Sequence, residues 1–266
     1  MKQPPVMLSV AGSDPSGGAG VQADLKTATA LGVYGAAVIT SLTAQNTTGV
    51  QGIFEVPGDF VAQQYESVVT DLDVRAVKIG MLGSTDVVLA LAAAMRRHRV
   101  DQVVLDPVMV AASGDRLVGD DVVRSICDDL IPLASVITPN LAEVATLLGG
   151  GEPSSLAEMS EAADALRALG PQAVLVKGGH LPDVQSIDVL ADCGGTAEIA
   201  RDRVDTNNTH GTGCTLSSAI AAHLAGGMSL RSAVGHAKDY VTGALRSGAG
   251  WTLGAGSGPV DHLWAR

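Results

Sequence analysis

Aromatic side chains are scarce in this 266-residue sequence, with Phe, Tyr and Trp together making up 3%. The core must therefore come from Ala, Val, Leu and Ile, residue types suited to helices covering a strand-rich sheet. Cysteine is scarce too. Cys127, Cys193 and Cys214 are odd in number and widely spaced, which fits neither a disulfide framework nor a Cys-rich zinc site and points to a reducing compartment. Basic residues are outnumbered, 17 against 28 acidic, for a formal net charge of −11. Such a chain repels a phosphate backbone unless its cations gather on one face, and no Lys/Arg run exists, so no nucleic-acid partner is expected. Long hydrophobic runs are also missing. The apolar stretch from Val6 to Ala11 is too short for a signal-peptide core or a membrane span. The expectation is a cytoplasmic protein with no membrane partner.

What is present suits a large folded core. Hydrophobic residues make up 46% and glycines number 32, enough to bury an interior and still form many tight turns. Val/Ile-rich runs bounded by Gly, Pro, Asp or Asn predict buried strands at Val6 to Ala11, Gly35 to Thr40, Ala76 to Ile79, Val103 to Leu105, Val136 to Ile137 and Ala173 to Val176. Apolar positions at three- and four-residue intervals predict helices at Val21 to Leu31, Phe60 to Leu72, Thr85 to His98, Asp120 to Leu130, Leu141 to Leu148 and Ser155 to Leu169. This repeated βα pattern builds a mainly parallel sheet covered on both faces. Two strand-like pieces between Ile187 and Ile199, around Gly194 and Gly195, predict a hairpin at the sheet edge. Closing helices follow at about Cys214 to Ala225 and Leu230 to Arg246. No repeat or low-complexity linker interrupts the pattern, so one α/β domain over residues 1–266 is expected. Ligands of such sheets bind beyond the carboxyl ends of the strands, so residues just after each strand carry the functional reading.

The first of these loops is Gly12 to Gly20. Gly18-Ala19-Gly20-Val21-Gln22-Ala23 matches the dinucleotide fingerprint in its Gly/Ala form, but residues intervene between strand and first glycine, and Thr40 to Thr48 lacks the acid that would bind a ribose. A loop whose small residues let backbone approach a ligand closely is the better reading, with Asp24 one turn into the following helix. The strongest signal is Asn208 to Thr215, NTHGTGCT, running into a helix with Leu216, Ile220 and Leu224 on one face. Glycines before a helix leave amide groups free to point at an anion, and the helix dipole adds to the attraction. Cys214 falls in that first turn, where thiol pKa values drop. Asp106-Pro107 closes one strand and Thr138-Pro139-Asn140, with Glu143, closes another, so two carboxylates can face one magnesium ion. Lys177 beside two glycines closes a third and is one of five lysines. No Walker A motif is present, since no lysine follows a glycine.

Taken in order, GSDPSGGAGVQADLKT, TAQNTTGVQ, KIGML, LDPVM, ITPNLAE, VLVKGGH and NTHGTGCTLSSA resemble the hydroxymethylpyrimidine/phosphomethylpyrimidine kinase family from Val6 to about Gly258. The resemblance implies a ribokinase-like αβα sandwich that uses ATP and Mg²⁺. Its γ-phosphoryl transfer goes first to a pyrimidine alcohol and then to the monophosphate, in thiamine biosynthesis. It places the pyrimidine against Gly12, Asp24, Gln45, Met81 and Val108, and the anion hole on Gly211, Thr212, Gly213 and Cys214. Lys177, Thr209 and Asn140 fall on the nucleotide side, Asp106 and Glu143 at the metal, and Cys214 as general base. The expected assembly is a homodimer. One departure follows LDPVM, where relatives commonly carry a lysine at the position of Ala112; this puts phosphate contacts from residues 110–115 in question.

Three other readings compete. A pyridoxal kinase shares the GTGC stretch, but Gln45 offers an amide donor and acceptor suited to an aminopyrimidine. A cysteine hydrolase would pair Cys214 with His210 or His180, yet no nucleophile-elbow sequence supports it. A non-catalytic metabolite-binding protein would not need the glycine, cysteine and carboxylate positions kept together.

Overall fold

The computed structural model describes residues 3–109, 118–179 and 184–266. Its centre is a nine-stranded sheet in the order β3-β2-β1-β4-β5-β6-β7-β8-β9. Six neighbouring strands are parallel: β1 (Val6–Ser13), β2 (Tyr34–Asn46), β4 (Val74–Ile79), β5 (Gln102–Leu105), β6 (Val136–Ile137) and β7 (Val174–Val176). At one edge β3 (Gly49–Glu55) runs antiparallel to β2. At the other, β8 (Gln185–Asp192) and β9 (Gly195–Asp202) form the antiparallel hairpin that the glycine pair predicts.

Period-two alternation divides the apolar residues of each inner strand between two cores. Leu8, Val10, Val77, Ile79, Val103 and Leu105 face one, where α2 (Gly58–Val69), α3 (Thr85–Arg97), α4 (Asp120–Ser125), α5 (Leu141–Leu148) and α6 (Leu156–Arg167) pack. Met7, Ala76, Val104, Val136 and Leu175 face the other, under α1 (Gly20–Ala30), α7 (Thr212–Ala225) and α8 (Leu230–Gly248). Each fully buried Val, Leu or Ile in these layers contributes about 1.5–3 kcal/mol. The result is the three-layer αβα sandwich that the alternating pattern predicts.

Two local features differ from expectation. The helix expected over Asp120 to Leu130 is α-helical only to Ser125; a π turn follows at Ile126–Leu130 and a 3₁₀ turn at Ile131–Leu133. Pro132 has no N–H for the carbonyl four residues earlier, so the α pattern cannot run on. The strand expected to end at Thr40 instead continues to Asn46 and folds back as β3. This ribbon carries Gln45 within a strand rather than after one.

Candidate active site

The loops after β1, β5, β6 and β7 meet the start of α7 around a cleft of about 680 Å³. Two glycine-rich segments form its floor. Gly211 caps α7 with φ +81, and a Cβ there would lie 1.8 Å from the Gly18 carbonyl oxygen, so backbone packs on backbone where the segments touch. His210 closes the same contact, its Nε2 lying 2.8 Å from Asp14 Oδ2. Burial alone would raise the Asp14 pKa, but hydrogen bonds from His210, Ser16 and Ala19 hold it down at about 2.

The first turn of α7 is open to an anion. Thr212 N–H turns back to the Thr209 carbonyl, while the amides of Gly213 and Cys214 have no backbone acceptor among the described residues. Lys177 lies alongside, with Nζ 3.4 Å from where a Cβ on Gly213 would sit. Lys177 is itself held by Asp106 at 2.8 Å and lies 3.7 Å from Glu143. Burial would lower the Lys177 pKa, yet these carboxylates hold it above the usual lysine range.

Gly12, Gln45, Met81 and Val108 all line the cleft. A Cβ on Gly12 would lie 2.8 Å from Met81 Cε and from Ser41 Oγ, so only glycine lets Met81 cover that wall. Gln45 accepts from Thr43 Oγ1 at 3.1 Å through its Oε1. Lys177, Thr209, Asn140, Gly211, Thr212, Gly213 and Cys214 line the same cleft. Residues 110–115, including Ala112, and His180 lie outside the described residues.

The structure revises three expectations. Asp24 does not meet the cleft: it is wholly buried, and its oxygens are taken by Lys78, Ser9 and Ser218. Asp106 is not poised as a metal ligand. Its Oδ1 accepts from Lys177 and from Thr138 at 3.0 Å, and its Oδ2 from Ser217 at 3.2 Å, so the carboxylate fixes the lysine and α7. Cys214 is not an acidic thiol. Burial pushes it up, with Asp24 and Asp106 adding to the effect, against the opposing influence of Lys78 and the Gly20 amide.

Glu143 remains as the cation candidate. With Asn140 it forms the capping box of α5, Asn140 N–H donating to Oε2 at 2.7 Å. Burial and the nearby Asp106 push its pKa up to about 7, although Lys177 and the amides of Asn140 and Met109 pull the other way. A buried carboxylate short of positive charge at the wall of an anion site fits a divalent cation such as Mg²⁺. Sequence reasoning missed two further lysines in the cleft. Lys78 pairs with Asp24, and Lys238 donates to Asp188 at 2.7 Å and to Ser186 at 2.9 Å. Their scarcity was the available signal: three of the chain's five lysines line this one cleft.

The fold and the open helix start beside the half-buried Lys177 define a ribokinase-like small-molecule kinase. A pyridoxal kinase from Bacillus subtilis, solved as an ADP complex, superposes with a TM-score of 0.90 at 35% identity, covering 98% of both chains. A phosphomethylpyrimidine kinase from Clostridium difficile 630 superposes with a TM-score of 0.80 at 38% identity, covering 90% of this chain and 99% of that one. The sequence profile of the phosphomethylpyrimidine kinase family matches residues 14–261. Hydroxymethylpyrimidine/phosphomethylpyrimidine kinases from Rhizobium meliloti (strain 1021) and Escherichia coli (strain K12) are 49% and 47% identical, each over 97% of both chains. The chain belongs to the phosphomethylpyrimidine kinase family.

Proposed function

We propose that this protein transfers the γ-phosphoryl group of ATP to 4-amino-5-hydroxymethyl-2-methylpyrimidine and then to its monophosphate, supplying the pyrimidine diphosphate for thiamine biosynthesis. The observation that carries this reading is that Cys214, in an open helix start beside Lys177, lines the same cleft as Gly12, Gln45, Met81 and Val108. Phosphoryl transfer needs positioning and charge neutralisation more than covalent chemistry. The Gly213 and Cys214 amides and Lys177 would take charge on the transferring oxygens. Gln45 would pair with the aminopyrimidine edge, and the apolar face of Leu216, Val241 and Leu245 would receive a flat base. As the alcohol oxygen bonds to phosphorus, its proton would pass to Cys214 in its thiolate form, giving the thiol, and the ADP oxygen would leave with the bonding pair. Glu143 would hold Mg²⁺ directly or through water, and the ion would neutralise phosphate charge.

Residues 1–266 are read as one kinase domain, since the sheet joins strands from Val6 to Asp202 and both cores. A cytoplasmic location is in keeping with free cysteines and with the finding that no helix among the described residues is long and apolar enough to cross a membrane. A homodimer would cover the β2–β3 ribbon, where Leu42, Ile53 and Phe54 are exposed; light scattering would test it. The similarity to a pyridoxal kinase structure favours one alternative substrate. ADP release measured with the pyrimidine alcohol, its monophosphate and pyridoxal decides between them. Turnover of both pyrimidines well above that of pyridoxal is expected, and preference for pyridoxal would overturn the proposal.

A further inference from the structure

Lys78 and Asp24 form an ion pair with no exposed side-chain surface on either partner, Nζ lying 3.0 Å from both carboxylate oxygens. Four elements converge on it. Lys78 comes from β4 and Asp24 from α1; Ser9 of β1 donates to Oδ2 at 2.5 Å and Ser218 of α7 donates to Oδ1 at 2.5 Å. Ser218 lies four residues beyond Cys214 on α7, so the two share a helix face one turn apart. The pair therefore holds the helix at the turn next to the thiol, and Lys78 reaches the cleft.

Stability gives no reason for this pair. Taking two charges out of water costs several kcal/mol per ion, and apolar residues of similar volume commonly serve as well or better. The surroundings are nevertheless built around it: a Cβ on Gly80 would lie 2.8 Å from Lys78 Nζ, so the lysine's position favours a glycine at the end of β4. The groups that act on the Cys214 thiol are Lys78 from β4, Asp24 from α1, Asp106 just after β5, Lys177 just after β7, and the Gly20 amide. Lys78 is thus the cation tied, through Asp24 and Ser218, to the helix face that carries the sulfur.

We propose that Lys78 and Asp24 are a positioning pair for Cys214, Asp24 fixing its helix face through Ser218 and Lys78 supplying the positive charge that a thiolate needs in this half-buried site. The inference rests on reading Cys214 as the proton acceptor, and it explains how a half-buried thiol can serve in that role. Excluding water strengthens the attraction between sulfur and ammonium, because the local dielectric falls.

The test is the pH dependence of iodoacetamide alkylation at Cys214 in the full-length enzyme, followed by peptide mass analysis, with Cys127 and Cys193 as internal references. Lys78→Met is expected to slow alkylation of Cys214 at mildly alkaline pH by about tenfold, equivalent to one pKa unit. Asp24→Asn is expected to speed it. Opposite shifts distinguish charge from packing, since loosening the fold would speed both. Profiles that do not move, or that move in the same direction, overturn the proposal. Should either single variant fail to fold, Lys78→Met/Asp24→Leu leaves no charge unpaired; a rate several-fold below wild type is expected there, and an unchanged rate is again fatal. Alkylation is read without turnover, so a Cys214→Ala enzyme that keeps its activity would remove the proton-acceptor reading without deciding the alkylation result.

Discussion

His210 and Asp14 are 196 positions apart in sequence, yet Nε2 and Oδ2 lie 2.8 Å apart in the buried floor of the cleft. The contact locks the loop after β1 to the loop before α7. Both supply small residues for close approach of a ligand, and neither has a regular ladder of its own to fix it. Asp14 adds its own turn by accepting from the amides of Ser16 and Ala19, while the Gly258 carbonyl accepts from His210 N–H. The geometry of the open helix start therefore depends on a polar contact as well as on packing.

That contact predicts acid sensitivity. The Asp14 carboxyl is held at about 2 against an ordinary 3.8, so the folded state prefers it ionised. Its contribution is complete above the unfolded value and is lost as pH falls through about 2, a difference of roughly 2 kcal/mol. In urea titrations at a series of pH values, wild type should lose about that much more stability between neutral and strongly acid pH than Asp14→Asn. Parallel curves for the two proteins would show that the pair contributes no such linkage.

Gln45 gives a prediction about affinity. It sits at the cleft wall near the tip of the β2–β3 ribbon, where an amide can match the donor and acceptor of an aminopyrimidine. Leaving a buried ligand group unpaired costs about 1–3 kcal/mol. Gln45→Leu should therefore weaken pyrimidine binding by about tenfold or more, seen as a raised KM with little change in the ADP Kd. An unchanged KM would mean that this side chain faces solvent in the complex.

Much of this architecture was legible in the sequence because the inner strands are continuous Val/Ile-rich runs, buried on both faces and framed by turn residues. β3 and the second half of β2 were not. Leu42 to Asn46 and Gly49 to Glu55 are largely exposed, so no core imposed period-two alternation on them. The site divided along the same line. Gly211 to Cys214 could be read from local spacing, because a helix start is a local object. Asp24 could not: its surroundings depend on Lys78 and Ser218, which are 54 and 194 positions away. Asn140 and Glu143 form a capping box whose members also line the cleft.

Glu143 carries the metal prediction. Its carboxylate lacks a full complement of positive charge, and Mg²⁺ often needs only one or two protein carboxylates because it keeps several waters. Glu143→Gln should raise the magnesium concentration needed for half-maximal turnover by about tenfold, on the scale of losing a hydrogen bond to a charged group. Circular dichroism would check that the neutral amide still caps α5. A variant that titrates with magnesium like wild type, or wild-type activity that persists in excess chelator, would rule this role out.

With Cys214 as the base, the two phosphorylations would respond differently to its removal. In the first, the acceptor is an alcohol whose proton must leave as oxygen attacks phosphorus, and a base in reach typically contributes about 10²- to 10⁴-fold. In the second, the acceptor is a phosphate monoester whose last ionisation lies near pH 6, so at neutral pH its attacking oxygen carries no proton to remove; the ionisation of phosphorylated side chains gives the scale, about 6. Both reactions would share the amides of Gly213 and Cys214 and the ammonium of Lys177. Cys214→Ala should therefore slow phosphorylation of the alcohol by about 10²-fold or more, while phosphorylation of the monophosphate falls far less. If Cys214 only packs beneath the loop, the two rates should change by the same small factor. Single-turnover measurements with each acceptor would separate chemistry from product release, and equal losses in both would remove the cysteine as base, leaving the helix start and Lys177 as the catalytic groups.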